Sequence, residues 1–133
     1  MRTVFQGLVV FVMFATALYW AMPFIDFMWY PDEQLALLDQ GGLGASLPTS
    51  EAFYWFQLSL WLLISVGLLF FINIARTAFV VLYVLATISG LFYGIQVLTP
   101  VELLLANLIS MGDGAIIAIM YLTSVSEAFR EAS

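Results

Sequence analysis

Four stretches of this sequence, residues 4–22, 52–72, 78–98 and 101–122, are apolar almost throughout. A helix of about 20 such residues crosses the hydrocarbon core of a bilayer. Hydrophobic residues make up 64% of the 133 and charged residues 9%, where soluble proteins carry about 25% charged. So small a chain cannot hide that excess in one core, because small domains have too much surface. The solvent for much of the chain must be lipid. The sequence therefore predicts an all-α membrane protein: a single integral membrane domain over residues 1–133, built as a four-transmembrane-helix bundle.

Charge removes several function classes. The net charge is −6 with only three basic residues, which argues against nucleic acid as a partner, since that needs a positive footprint. The same balance argues against a polybasic lipid-binding patch. There is no Cys and no His, so thiolate chemistry and the commonest general base, metal ligand and haem ligand are missing together. No metal site and no cofactor are expected.

The first run follows Met1-Arg2-Thr3 and is interrupted only by Gln6 and Thr16. Ala15-Thr16-Ala17 has the small-x-small form of a signal-peptide cleavage site. The apolar run continues past it to Met22, which favours a retained anchor, and Pro23 is expected to end the helix. Residues 23–50 form the one long connection, an external loop that opens with the aromatic cluster FIDFMWY at headgroup level. Within it, residues 31–40 read as a short interfacial helix: Pro31 and the acids Asp32 and Glu33 suit a first turn, and Gly41-Gly42 stop it. It could equally be a plug over the bundle mouth.

Ser50 is a suitable N-cap for the second span, with Glu51 in its first turn and Trp55 and Trp61 as interfacial anchors. Residues 73–77 read as a tight polar connection to the third span, giving a helical hairpin. On that third span Ala86, Gly90 and Gly94 recur every four residues, a small-xxx-small row suited to helix packing. Thr99-Pro100-Val101-Glu102 then combines a cap, a first-position proline and a capping box, so the fourth helix starts there. Thr123 and Ser124 begin a polar tail.

With four spans, Arg2, Arg76 and Arg130 all fall on one side, while Asp26, Asp32, Glu33, Asp39, Glu51 and Glu102 fall on the other. The positive-inside rule makes the arginine side, with both termini, cytoplasmic. Compactness and short connections suggest a bacterial inner membrane.

Asp113, between Gly112 and Gly114, is the only acid deep inside a span. It sits about 14 Å from the cytoplasmic end of its helix, near the bilayer centre. Insertion scales put a central Asp at about 2.5–3.5 kcal/mol, so it should face other helices or a water-filled pocket. Asn107, Ser110, Asp113 or Gly114, Ala118 and Tyr121 share one face at helical spacing. Ser110, Asn107, Tyr83 and Thr87 are the expected partners, because a snorkelling Arg76 would reach away toward water. Two readings stand. Asp113 is either a hydrogen-bonded tie between helices, or a proton or cation site with Asn107 and Ser110 beside it.

No activated nucleophile and no phosphate-binding glycine loop is present, so an enzyme is not expected. The leading reading is a structural or accessory membrane protein that binds lipid, other membrane proteins or further copies of itself. The alternative is a small oligomeric proton- or cation-coupled transporter or channel using Asp113. A third is a membrane-protecting immunity or stress protein. In size and span count the chain resembles the small multidrug-resistance transporters. It departs from them in two respects: their membrane acid is a Glu in the first helix, where residues 4–22 have none, and they lack a long external loop.

Overall fold

The computed structural model describes residues 1–38, 42–46 and 50–131. Helix α1 is Arg2–Trp29, α2 Asp32–Leu38, α3 Glu51–Leu69, α4 Asn73–Ser89, α5 Pro100–Leu122 and α6 Val125–Glu131. A 3-10 turn, Gly90–Phe92, prolongs α4. Four of these helices, α1, α3, α4 with its 3-10 turn, and α5, are long and apolar enough to cross a membrane. The protein is an all-α membrane bundle with one short helix between its first two spans. Asp39, Gln40 and Gly41, which the sequence reading used, lie outside the described residues.

Helix α1 runs through Pro23 instead of ending there. A proline inside a helix forfeits one backbone hydrogen bond and costs about 3 kcal/mol. Contacts beyond it offset that: Ile25 packs against the cluster to which Met22 and Leu105 belong, and Phe24 stacks on Trp55 with ring centroids 6.1 Å apart. The helix stops before Pro31, where Tyr30 is extended at φ −109°, ψ 139°, as the residue before a proline prefers. At 28 residues and 1.5 Å each, α1 is about 42 Å long and outreaches the hydrocarbon core.

The turn from α3 to α4 is made by Phe70, Phe71 and Ile72, not by residues 73–77, which form the first turn of α4. Phe71 holds φ +56°, unusual for a residue with a side chain. Its ring explains the choice, because it packs 5.8 Å from Phe5 and 5.3 Å from Phe129. The hairpin closes tightly because Gly67 faces Ala75: a β-carbon on 67 would lie 2.6 Å from the alanine's own.

The third span is shorter than residues 78–98 at its C-terminal end, and the small-residue row does not pack helices. Gly90 has open space where a side chain would be, and Gly94 lies beyond the helix at φ +73°. A β-carbon on Gly94 would strike the backbone of Leu43, Gly44 and Ala45. That contact accompanies a short paired ladder: Gly42 N–H donates to Ile95 (2.8 Å), Ile95 N–H to Leu43 (2.9 Å) and Ser46 N–H to Phe92 (2.8 Å). The long loop is thereby stitched to the segment between α4 and α5.

Helix α5 opens with the capping box: Glu102 N–H donates to Thr99 Oγ1 (3.2 Å), and Thr99 N–H to Glu102 Oε2 (2.7 Å). The expected polar tail is instead α6, which buries Val125, Ala128 and Phe129. Phe129 meets Phe5 edge-on at 5.9 Å, and Arg2 pairs with Glu131 at 2.7 Å. Arg76 stacks 3.8 Å above the Tyr121 ring, and Arg2, Arg76 and Arg130 lie at one end of the bundle.

Candidate functional site

Helix α1 packs mainly on α5 and helix α3 mainly on α4, and the two pairs join where α1 meets α3. Helices α4 and α5 touch only slightly. Between them lies a cleft of about 270 Å³, and Asp113 lines it.

What aims the acid into the cleft is its neighbour. Gly112 is pressed against Val12 of α1, where a β-carbon would overlap the valine side chain. With Gly112 fixed on that contact line, the next residue turns by about 100° around the helix toward α3 and α4. Asp113 is 3% exposed, and its Oδ1 has no hydrogen-bond partner among the described residues. A buried carboxylate oxygen without a donor is costly. Among the described residues Asp113 makes no side-chain hydrogen bond to another helix.

The inward face of α5 is Glu102, Leu105, Gly112, Asp113, Ile116 and Met120. The stripe read from the sequence is therefore rotated from the true one: Asn107, Gly114, Ala118 and Tyr121 are exposed. Helical spacing alone cannot say which side of a polar–apolar boundary faces in. Of the residues expected beside Asp113, Ser110, Tyr83 and Thr87 line the cleft. Asn107 does not. Thr87 Oγ1 is occupied in donating to the Tyr83 carbonyl at 2.9 Å. Ala86 also lines the cleft, whereas Gly90 and Gly94 do not.

The sequence reading missed the aromatic side of this site. Tyr19 and Trp20 of α1 and Trp61 of α3 line the cleft with Asp113. Trp61 is a wall of the cleft, held edge-on to Phe79 at 5.2 Å, rather than an interfacial anchor. The same Tyr19, Trp20, Trp61 and Ala86 line a second hollow of about 350 Å³ toward the loop end, with Tyr54, Gln57, Tyr93 and Gln96. There Gln57 Nε2 donates to Tyr93 Oη at 2.7 Å, and Tyr54 Oη donates to the Trp20 carbonyl. Asp113 thus lines the first of two adjoining hollows that share tyrosine and tryptophan walls. Such rings attract cations through their faces, and one carboxylate at the bottom supplies a counter-charge.

Arg76 is not that partner. It is engaged with the Tyr121 and Phe129 rings at 3.8 and 5.8 Å, and Asp113 makes no ion pair among the described residues.

Comparison with protein-family models, with curated proteins and with solved structures finds no match for this chain.

Proposed function

We propose that this integral membrane protein is a small proton- or cation-coupled transporter or channel, with Asp113 as its intramembrane site. One observation carries the reading: a carboxyl 3% exposed, with an unpartnered oxygen, lining a cleft between two helix pairs. Acids inside membranes face interiors and mark ion or proton pathways. The adjoining hollow shares Tyr19, Trp20, Trp61 and Ala86 with the cleft and lies on its loop side, walled by rings that favour positive charge. The slight contact between α4 and α5 lets the α3–α4 hairpin move against the α1–α5 pair, which alternating access requires. The arginine positions orient the termini to the cytoplasm, and a bacterial inner membrane fits the compact chain.

A structural or accessory role is the second reading, and the α3–α4 hairpin favours it. Phe56, Leu63, Phe70, Ile74, Val81 and Leu85 are exposed along it and suit lipid, a second copy or another membrane protein.

The test is flux into sealed proteoliposomes holding a pH-sensitive dye, driven by a potassium diffusion potential. Wild-type protein should acidify or alkalinise the lumen at a rate that Asp113→Asn lowers at least tenfold. Equal rates for the two proteins, or none above empty vesicles with protons, sodium and potassium all tried, would favour the accessory role.

A further inference from the structure

The end of the bundle opposite the arginines holds a second acidic site, which shares no lining residue with the Asp113 cleft. Asp26, near the C-terminal end of α1, is 2% exposed, and its Oδ1 has no hydrogen-bond partner among the described residues. Glu102, in the first turn of α5, is 8% exposed and spends Oε2 on the Thr99 N–H. Both line one cavity of about 500 Å³, with Pro23, Phe27, Leu35, Leu38 and Val97 as its remaining walls. Helix α2 contributes Leu35 and Leu38 to the cavity wall, although it buries no residue of its own.

Two carboxylates lining one cavity repel when both are charged. Buried charges need a partner of opposite sign. The chain has only three basic residues, and Arg2, Arg76 and Arg130 are all at the other end of the bundle. With no basic side chain at this end, a positive partner for the two acids would come from outside the chain.

The walls decide its kind. A hard divalent ion takes six or more oxygen ligands, and no group of three or more acidic side chains that could hold one occurs among the described residues. Five of the seven lining residues are apolar, and a cavity of this volume suits a small organic molecule. We propose that Asp26 and Glu102 bind a primary amine or ammonium group, whose short apolar body lies against Phe27, Leu35, Leu38 and Val97. An aminated lipid headgroup and a free alkylamine share that chemistry.

The experiment uses the full chain in nanodiscs, with hexylamine as the free probe and hexanol as its uncharged match. Binding is read by isothermal titration, and retained lipid by native mass spectrometry from nanodiscs of mixed phosphatidylethanolamine and phosphatidylcholine. Hexylamine should bind saturably and hexanol should not. Asp26→Asn and Glu102→Gln should each weaken hexylamine at least tenfold, and Glu102→Gln retains the capping box and hence the helix start. Enriched phosphatidylethanolamine that hexylamine displaces would identify the lipid as the source, and hexylamine binding without such enrichment a free amine. Equal heats for hexylamine and hexanol, or unchanged hexylamine binding in both variants, would overturn the proposal. Should either variant lose its helical circular dichroism, the hexylamine–hexanol comparison is repeated on Asp113→Asn, which leaves only the second site acidic, and equal heats there would overturn the proposal.

Discussion

Val12 of α1 and Gly112 of α5 meet so closely that a β-carbon on residue 112 would overlap the valine side chain. This contact sits beside the buried acid and sets the rotation of α5, which makes it the mechanical footing of the site. Gly114, two residues on, has open space around it.

The two glycines should therefore respond differently. Gly112→Ala forces α1 and α5 apart and should cost about 1–3 kcal/mol, the usual range for overpacking. Gly114→Ala meets nothing and should be neutral or slightly stabilising, because alanine is the better helix former. Thermal unfolding followed by circular dichroism in one detergent compares them.

Gly94 and Gly90 form a second contrasting pair. Gly94 combines φ +73° with close approach to the backbone of residues 43–45, so Gly94→Ala should break the ladder between the loop and the segment after α4. Hydrogen exchange at the amides of Gly42, Ser46 and Ile95 should then speed at least tenfold. Gly90→Ala should leave those amides unchanged.

At the arginine end, packing should outweigh charge. Phe129→Ala empties the space between Phe5 and Phe71 and should cost about 3–5 kcal/mol. Glu131→Gln removes an ion pair whose partners are 57% and 68% exposed, and such pairs contribute about 0–1 kcal/mol. Melting temperatures of the two variants should differ accordingly.

The capping box gives a local prediction. Glu102→Ala should cost about 1 kcal/mol through loss of the cap, visible as faster exchange of the Thr99 amide. Glu102→Gln should preserve protection there.

The spans were legible because length and apolarity decide them, and the start of α5 was legible because three capping signals coincide at Thr99, Pro100 and Glu102. Helix ends were harder. Pro23 and Pro31 are alike in sequence, and only the packing of Phe24 and Ile25 tells which one the helix passes through. Gly94 has the spacing of a packing glycine, yet its role depends on a loop some fifty residues earlier in the chain. Helix α6 did leave a signal: Val125, Ala128 and Phe129 at i, i+3 and i+4 mark a helix face even in a polar setting.

Asp113 was legible as an acid inside an apolar span. Its surroundings were not, since the side of α5 that faces inward depends on Gly112 meeting Val12. Asp26 looked like one of several loop acids. Its burial follows from α1 running on past Pro23 to carry it beneath α2, which no local pattern announced.

The most direct measurement is the thermal stability of Asp113→Asn beside wild-type protein in the same detergent. The carboxyl has an oxygen with no partner and makes no hydrogen bond to another helix among the described residues, so an isosteric amide removes none of those seen. The account predicts a folded variant whose stability lies within about 1 kcal/mol of wild type. A variant that fails to fold, or melts many degrees lower, would show that Asp113 ties the helices together and would contradict its assignment as a site.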